Sequence, residues 1–166
     1  HDENNSSQMT LNDVFKLLQS HEKFENFYSK SIEKEINFIS SHFYEIDENQ
    51  VEIFEKLKIE TLERIFRNKE LRLETEDQLL SIINKLYFKD SMYSILYECI
   101  NFLNVSPSKI TEFLMYFDNF DMTRELWNSL SNRLQQPINQ INDNNERYFI
   151  RLLYQKNKEF DGIINY

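Results

Sequence analysis

With 166 residues, 40% of them hydrophobic and 28% charged, the chain has the profile of one ordinary folded domain and not of a disordered tail. Its formal charge of -9 argues against a nucleic-acid partner and against an anionic membrane face, since both call for a basic surface. One Gly and two Pro are too few for a turn-rich sheet protein or a nucleotide enzyme built on a glycine loop, which leaves an all-α fold.

Residues 1–8 (HDENNSSQ) are wholly polar and read as a disordered tail, and the start at His1 instead of Met suggests an excised segment. From Leu11 the spacing becomes helical: Leu11, Val14, Phe15 and Leu18 follow an i, i+3, i+4, i+7 stripe. Phe24, Phe27 and Tyr28 continue it in a short piece. Ile32, Ile36, Ile39 and Phe43 then predict a helix over 31–46, with Asp47, Glu48 and Asn49 as its break. Val51, Phe54 and Leu57 share a face of a short helix, and Ile59, Leu62, Ile65 and Phe66 mark another that ends near Asn68.

Leu71 and Leu73 point the same way if the backbone between the next two helices is extended, pinning a connector to the core. Thr75 stands at an N-cap, and Gln78 completes a capping box, T-x-x-Q. Glu76 and Asp77 fall in the first turn, where the helix dipole favours negative charge. Leu79, Leu80, Ile82, Ile83 and Leu86 form the buried face. Tyr93, Leu96, Tyr97, Ile100 and Leu103 predict a further helix. Ser106 caps the one after it, with Pro107 at the first helical position and Val105 and Ile110 spaced as a hydrophobic staple. A last helix follows Asp121, with Met122, Leu126, Trp127, Leu130 and Leu134 expected inward. The result is a stack of seven or eight short antiparallel helices over 9–134, without a fixed-period repeat. Residues 135–146 (QQPINQINDNNE) read as a polar linker, and 147–166 as the start of a further, truncated domain.

Chemical motifs are scarce. No G-x-S-x-G, phosphate loop or H-E-x-x-H occurs, so no catalytic, cofactor or metal residue is assigned and no cofactor is expected. His21 and His42 lack a ligand-like spacing, and Cys99 inside an apolar stretch reads as a buried inert thiol in a reducing, cytoplasmic setting. Glu74, Glu76 and Asp77 could form a general acid–base cluster, but capping explains them more simply. The aromatic residues read as core and not as a ligand cage. Arg64, Arg67, Lys69 and Arg72 stand out in an acidic chain as a possible patch for an acidic protein partner. No apolar run reaches the ~20 residues of a membrane span.

The stretch Leu57–Leu86 resembles the signature of the BACK domain, the helical module that follows BTB in many BTB-containing proteins. The matching positions are Leu57, Leu62 and Ile65, then the step Leu71, Leu73, Thr75, Glu76, Gln78, Leu79, Leu80 and Ile83. The broader likeness covers 31–134, and "EFDGIINY" is similar to the entrance of a discoidin-like (F5/8 type C) sandwich. The resemblance implies a non-enzymatic scaffold that spaces an oligomerising, cullin-binding BTB domain, expected directly before His1, from a substrate-binding domain. Its partners would be a cullin-type ubiquitin ligase and substrate proteins, with helices near Leu11–Phe43 adding contacts to the cullin and self-association arising in the BTB domain. Read from its residues alone, the chain also fits an unrelated α-helical solenoid scaffold, or a ligand-binding helical domain or enzyme.

Overall fold

Thr10 and Asp13 start the first helix by capping one another. Asp13 Oδ2 accepts the Thr10 N–H at 3.1 Å, and Thr10 Oγ1 accepts the Asp13 N–H at 3.3 Å. The Thr10 hydroxyl, donating at 2.6 Å, and the Thr10 N–H hold the Asp13 carboxyl below the usual carboxylate range. The helix that follows, α1 (Leu11–Phe24), buries Val14, Phe15 and Leu18 as the stripe requires. The structure, a computed structural model, describes residues 9–24, 32–136 and 147. The polar tail, Phe27 and Tyr28, most of the linker and nearly all of the C-terminal extension lie outside the described residues.

The helix expected over 31–46 is shorter. An α-helix, α2 (Glu33–Ser41), gives way to a 3-10 turn over Phe43–Glu45. His42 makes the change: its Nδ1 lies 2.8 Å from the Phe38 carbonyl oxygen and its ring stacks on Phe38 at 4.2 Å. The Phe38 carbonyl also accepts the His42 N–H at 3.2 Å, so the ring contact sits at the last helical bond, and the backbone tightens after it. Two short helices follow, α3 (Glu52–Glu55) and α4 (Ile59–Phe66), burying Phe54, Thr61, Leu62, Ile65 and Phe66. Helix α4 has no side-chain cap of its own. Buried Glu22 of α1 fills that role, accepting the Lys58 N–H at 3.2 Å.

After the extended step comes α5 (Glu76–Lys89), the central helix, buried on most of its circumference. The helix expected around Tyr93–Leu103 is instead a 3-10 segment, Ser91–Cys99, that ends at extended Ile100 and is followed by a second short 3-10 turn, Phe102–Asn104. The spacing explains the tighter winding: Tyr93, Leu96 and Cys99 recur every three residues, and all three are buried. Leu103 therefore does not face inward; it is exposed. Then come α6 (Pro107–Tyr116), a 3-10 turn at Asn119–Asp121, and α7 (Arg124–Gln135). Helix α7 follows Asp121 as expected, with Thr123 as its cap, whose Oγ1 accepts the Leu126 N–H at 3.2 Å. Leu126 and Leu130 point inward, but Trp127 and Leu134 are exposed, because among the described residues no element covers that side of the last helix.

The described residues form an all-α stack with no strand. None of them has positive φ. The helices end by running into extended or 3-10 backbone, as at Asp90, Ile100 and Phe117, so no left-handed glycine cap is needed. That geometry is why a chain with one glycine can turn so often. No described helix is long and apolar enough to cross a membrane.

Candidate functional site

The step between α4 and α5 is where the chain brings the most chemistry together. Leu71 and Leu73 are buried on an extended connector, as their spacing predicts. Thr75 Oγ1 accepts the Gln78 N–H at 3.3 Å. The return half of the capping box is displaced by one residue: Gln78 Oε1 accepts the Glu74 N–H, at 3.0 Å, and not that of Thr75. The Gln78 amide nitrogen also donates to the carbonyls of Phe43 at 3.3 Å and Ile46 at 3.0 Å, tying the end of the first helical layer to α5. All the other signature positions, Leu57, Leu62, Ile65, Glu76, Leu79, Leu80 and Ile83, are buried.

The three acidic residues of this step are not one cluster. Glu74 and Asp77 line an open cleft of about 470 Å³ together with Tyr44, Asp47, Thr75 and Lys109. Asp77 Oδ1 accepts the Ser106 N–H at 2.8 Å, fixing the cap residue of α6, whose own Oγ accepts from Lys109 N–H at 3.4 Å. Glu76 turns the other way, into the interior. Its Oε1 accepts the Asn101 N–H at 2.7 Å and lies 3.2 Å from a terminal guanidinium nitrogen of Arg147. The same arginine nitrogen donates to the Cys99 carbonyl at 3.2 Å, and the Arg147 carbonyl accepts the Leu73 N–H at 2.7 Å. First-turn carboxylates read as dipole partners are also brackets that join α5 to later parts of the chain.

The basic residues are spread along their surface and largely matched. Arg64 pairs with Glu33 of α2. Arg67 lies 3.7 Å from Glu63 and 3.4 Å from Glu98. Arg72 is 3.8 Å from Glu70 and donates to the carbonyls of Lys69 and Leu71, while Lys69 is exposed. His21 contacts Glu35 across α1 and α2 at 2.9 Å, and His42 is held by Phe38, so the two imidazoles are engaged separately. Among the described residues no group of three or more His, Cys, Asp or Glu is arranged to hold a metal ion. Cys99 is buried, and burial pushes its thiol up to about 11.

Two polar features had no signature in the sequence. Tyr97 donates to Asn84 Oδ1 at 2.8 Å inside the core, and burial holds its hydroxyl far above the usual phenol range. Tyr87 donates to Asp121 at 2.7 Å and accepts from Asp118 N–H at 3.1 Å, anchoring the turn before α7. Both join positions remote in sequence, which local spacing does not reveal. Compared with known proteins, the chain matches no family model, no curated protein and no solved structure.

Proposed function

We propose that the helical domain is a non-enzymatic scaffold of BACK type, an adaptor piece of a cullin-type ubiquitin ligase that holds neighbouring domains at a set geometry. The observation that supports this reading is the Leu71–Thr75 step. It is a short, doubly leucine-anchored connector that leads, through a bend at Glu74, into a capped central helix, the arrangement the BACK pattern implies. The surrounding polar groups suit the same role: Glu76, Asp77 and Gln78 use their oxygen and nitrogen atoms to bind backbone groups of other elements, which fixes relative positions. The buried thiol of Cys99 fits a cytoplasmic setting.

The test uses the full-length parent protein at its native level. Its purification is expected to enrich a cullin, and a recombinant cullin N-terminal region is expected to bind it directly. Absence of both interactions overturns the adaptor reading, as does turnover of a small compound by the purified domain.

A further inference from the structure

The side chain of Glu76 has no solvent exposure, and a buried carboxylate is tolerated only with hydrogen-bond donors and opposite charge close by. The start of α5 and the Asn101 N–H supply part of this. The opposite charge comes from Arg147, a residue beyond the helical domain as the spacing delimits it. Arg147 meets the domain at three points: the Glu76 carboxylate and the Cys99 carbonyl, each 3.2 Å from the guanidinium, and the Leu73 N–H, which donates to the Arg147 carbonyl at 2.7 Å. Two of these contacts read the side chain and one reads the backbone, at the edge of the extended step. One terminal guanidinium nitrogen serves both acceptors, and a guanidinium, more weakly hydrated than an ammonium, pairs with a buried carboxylate at a lower desolvation cost than a lysine would.

We propose that Glu76, the Cys99 carbonyl and the Leu73 N–H form a recognition slot that reads both the side chain and the main-chain carbonyl of an arginine, occupied in cis by Arg147. This inference requires neither a cullin nor a BTB domain, and it stands if the adaptor reading fails.

The test compares the full 166-residue chain with its Arg147→Met and Glu76→Gln variants. Amide exchange at Leu73 is expected to speed up on the order of tenfold or more in Arg147→Met, with a lower urea midpoint. Added to Arg147→Met, millimolar N-acetyl-arginine amide is expected to raise that midpoint saturably, N-acetyl-lysine amide less, and neither is expected to act on the double variant Glu76→Gln with Arg147→Met. If Arg147→Met does not fold, the double variant Glu76→Met with Arg147→Met removes the buried charge together with its partner. That chain is expected to fold and to keep the fast Leu73 exchange. Parent-like exchange at Leu73 and a parent-like midpoint, in either Arg147 variant, overturn the proposal. Equal stabilisation of the double variant Glu76→Gln with Arg147→Met by the arginine compound also overturns it.

Discussion

Phe43, Phe54 and Phe66 in the first half of the molecule have 0% exposure, whereas Phe88, Tyr116 and Phe120 in the second are 56%, 57% and 98% exposed. Rings meet in both sets. Phe54 lies 5.4 Å from Phe15, 5.8 Å from Phe43 and 6.0 Å from Phe66, and Phe88 makes an edge-on contact with Tyr116 at 5.4 Å. The difference is in what surrounds them. In the first half four helices close around the ring cluster. In the second, Tyr97, Phe102 and Phe113 form a buried cluster of their own, but the described elements pack on one side of α6 and α7 and leave Leu114, Met115, Trp127 and Leu134 outside. Aromatic content therefore says how much core a chain could make, and the number of covering elements says how much it does make.

The contrast is tested most severely in the ring cluster. Phe54→Ala is expected to lose about 3–5 kcal/mol of stability, measured by urea unfolding; a loss under about 1 kcal/mol would mean the first half is not the rigid part. Leu79→Ala or Ile83→Ala, on the central helix that both halves share, is expected to cost about 2–5 kcal/mol. Near-neutral values there would move the core away from α5.

A pH series extends the comparison to the buried polar groups. The unfolded Cys99 thiol ionises near 9.0, but burial holds the folded one protonated to about 11. A folded value above the unfolded one stabilises fully below the unfolded value and is lost as pH rises, so the urea midpoint is expected to decline between about pH 9 and 11. Tyr97 acts in the same direction. Cys99→Ala is expected to decline less steeply than the parent, and equal slopes would remove the thiol from the account.

Smaller effects separate local from tertiary contributions. Thr75→Ala is expected to lower stability by about 0.5–2 kcal/mol through the cap alone, and an unchanged denaturant midpoint would contradict that role. Trp127→Ala on the open side of α7 is expected to stay within about 0.5 kcal/mol of the parent. A larger loss, seen in the same unfolding experiment, would mean that face is covered in solution.

Helix positions were legible wherever a cap and a stripe agreed. Thr75 before α5 and Ser106 with Pro107 before α6 were both readable, because a cap bond joins residues only three apart. The three-residue spacing at Tyr93, Leu96 and Cys99 marks a 3-10 segment as well as one face of an α-helix, so spacing alone does not specify the tighter winding. At the candidate site, the buried leucines of the step were foreseen, while the opposite courses of Glu76 and Asp77 were not. Their backbone partners, Asn101 and Ser106, lie far along the chain and carry no side-chain pattern that spacing could detect.

By itself the sequence determined an all-α chain, its main caps and most of its buried positions, because periodicity and capping are local and each depends on neighbours within a turn or two. Only the tertiary structure decided that Trp127 and Leu134 face outward, that Gln78 spans to Phe43 and Ile46, and that Arg147 meets Glu76. Those outcomes depend on which surfaces come together in space, and a stripe on one helix specifies that it will be covered without specifying by what.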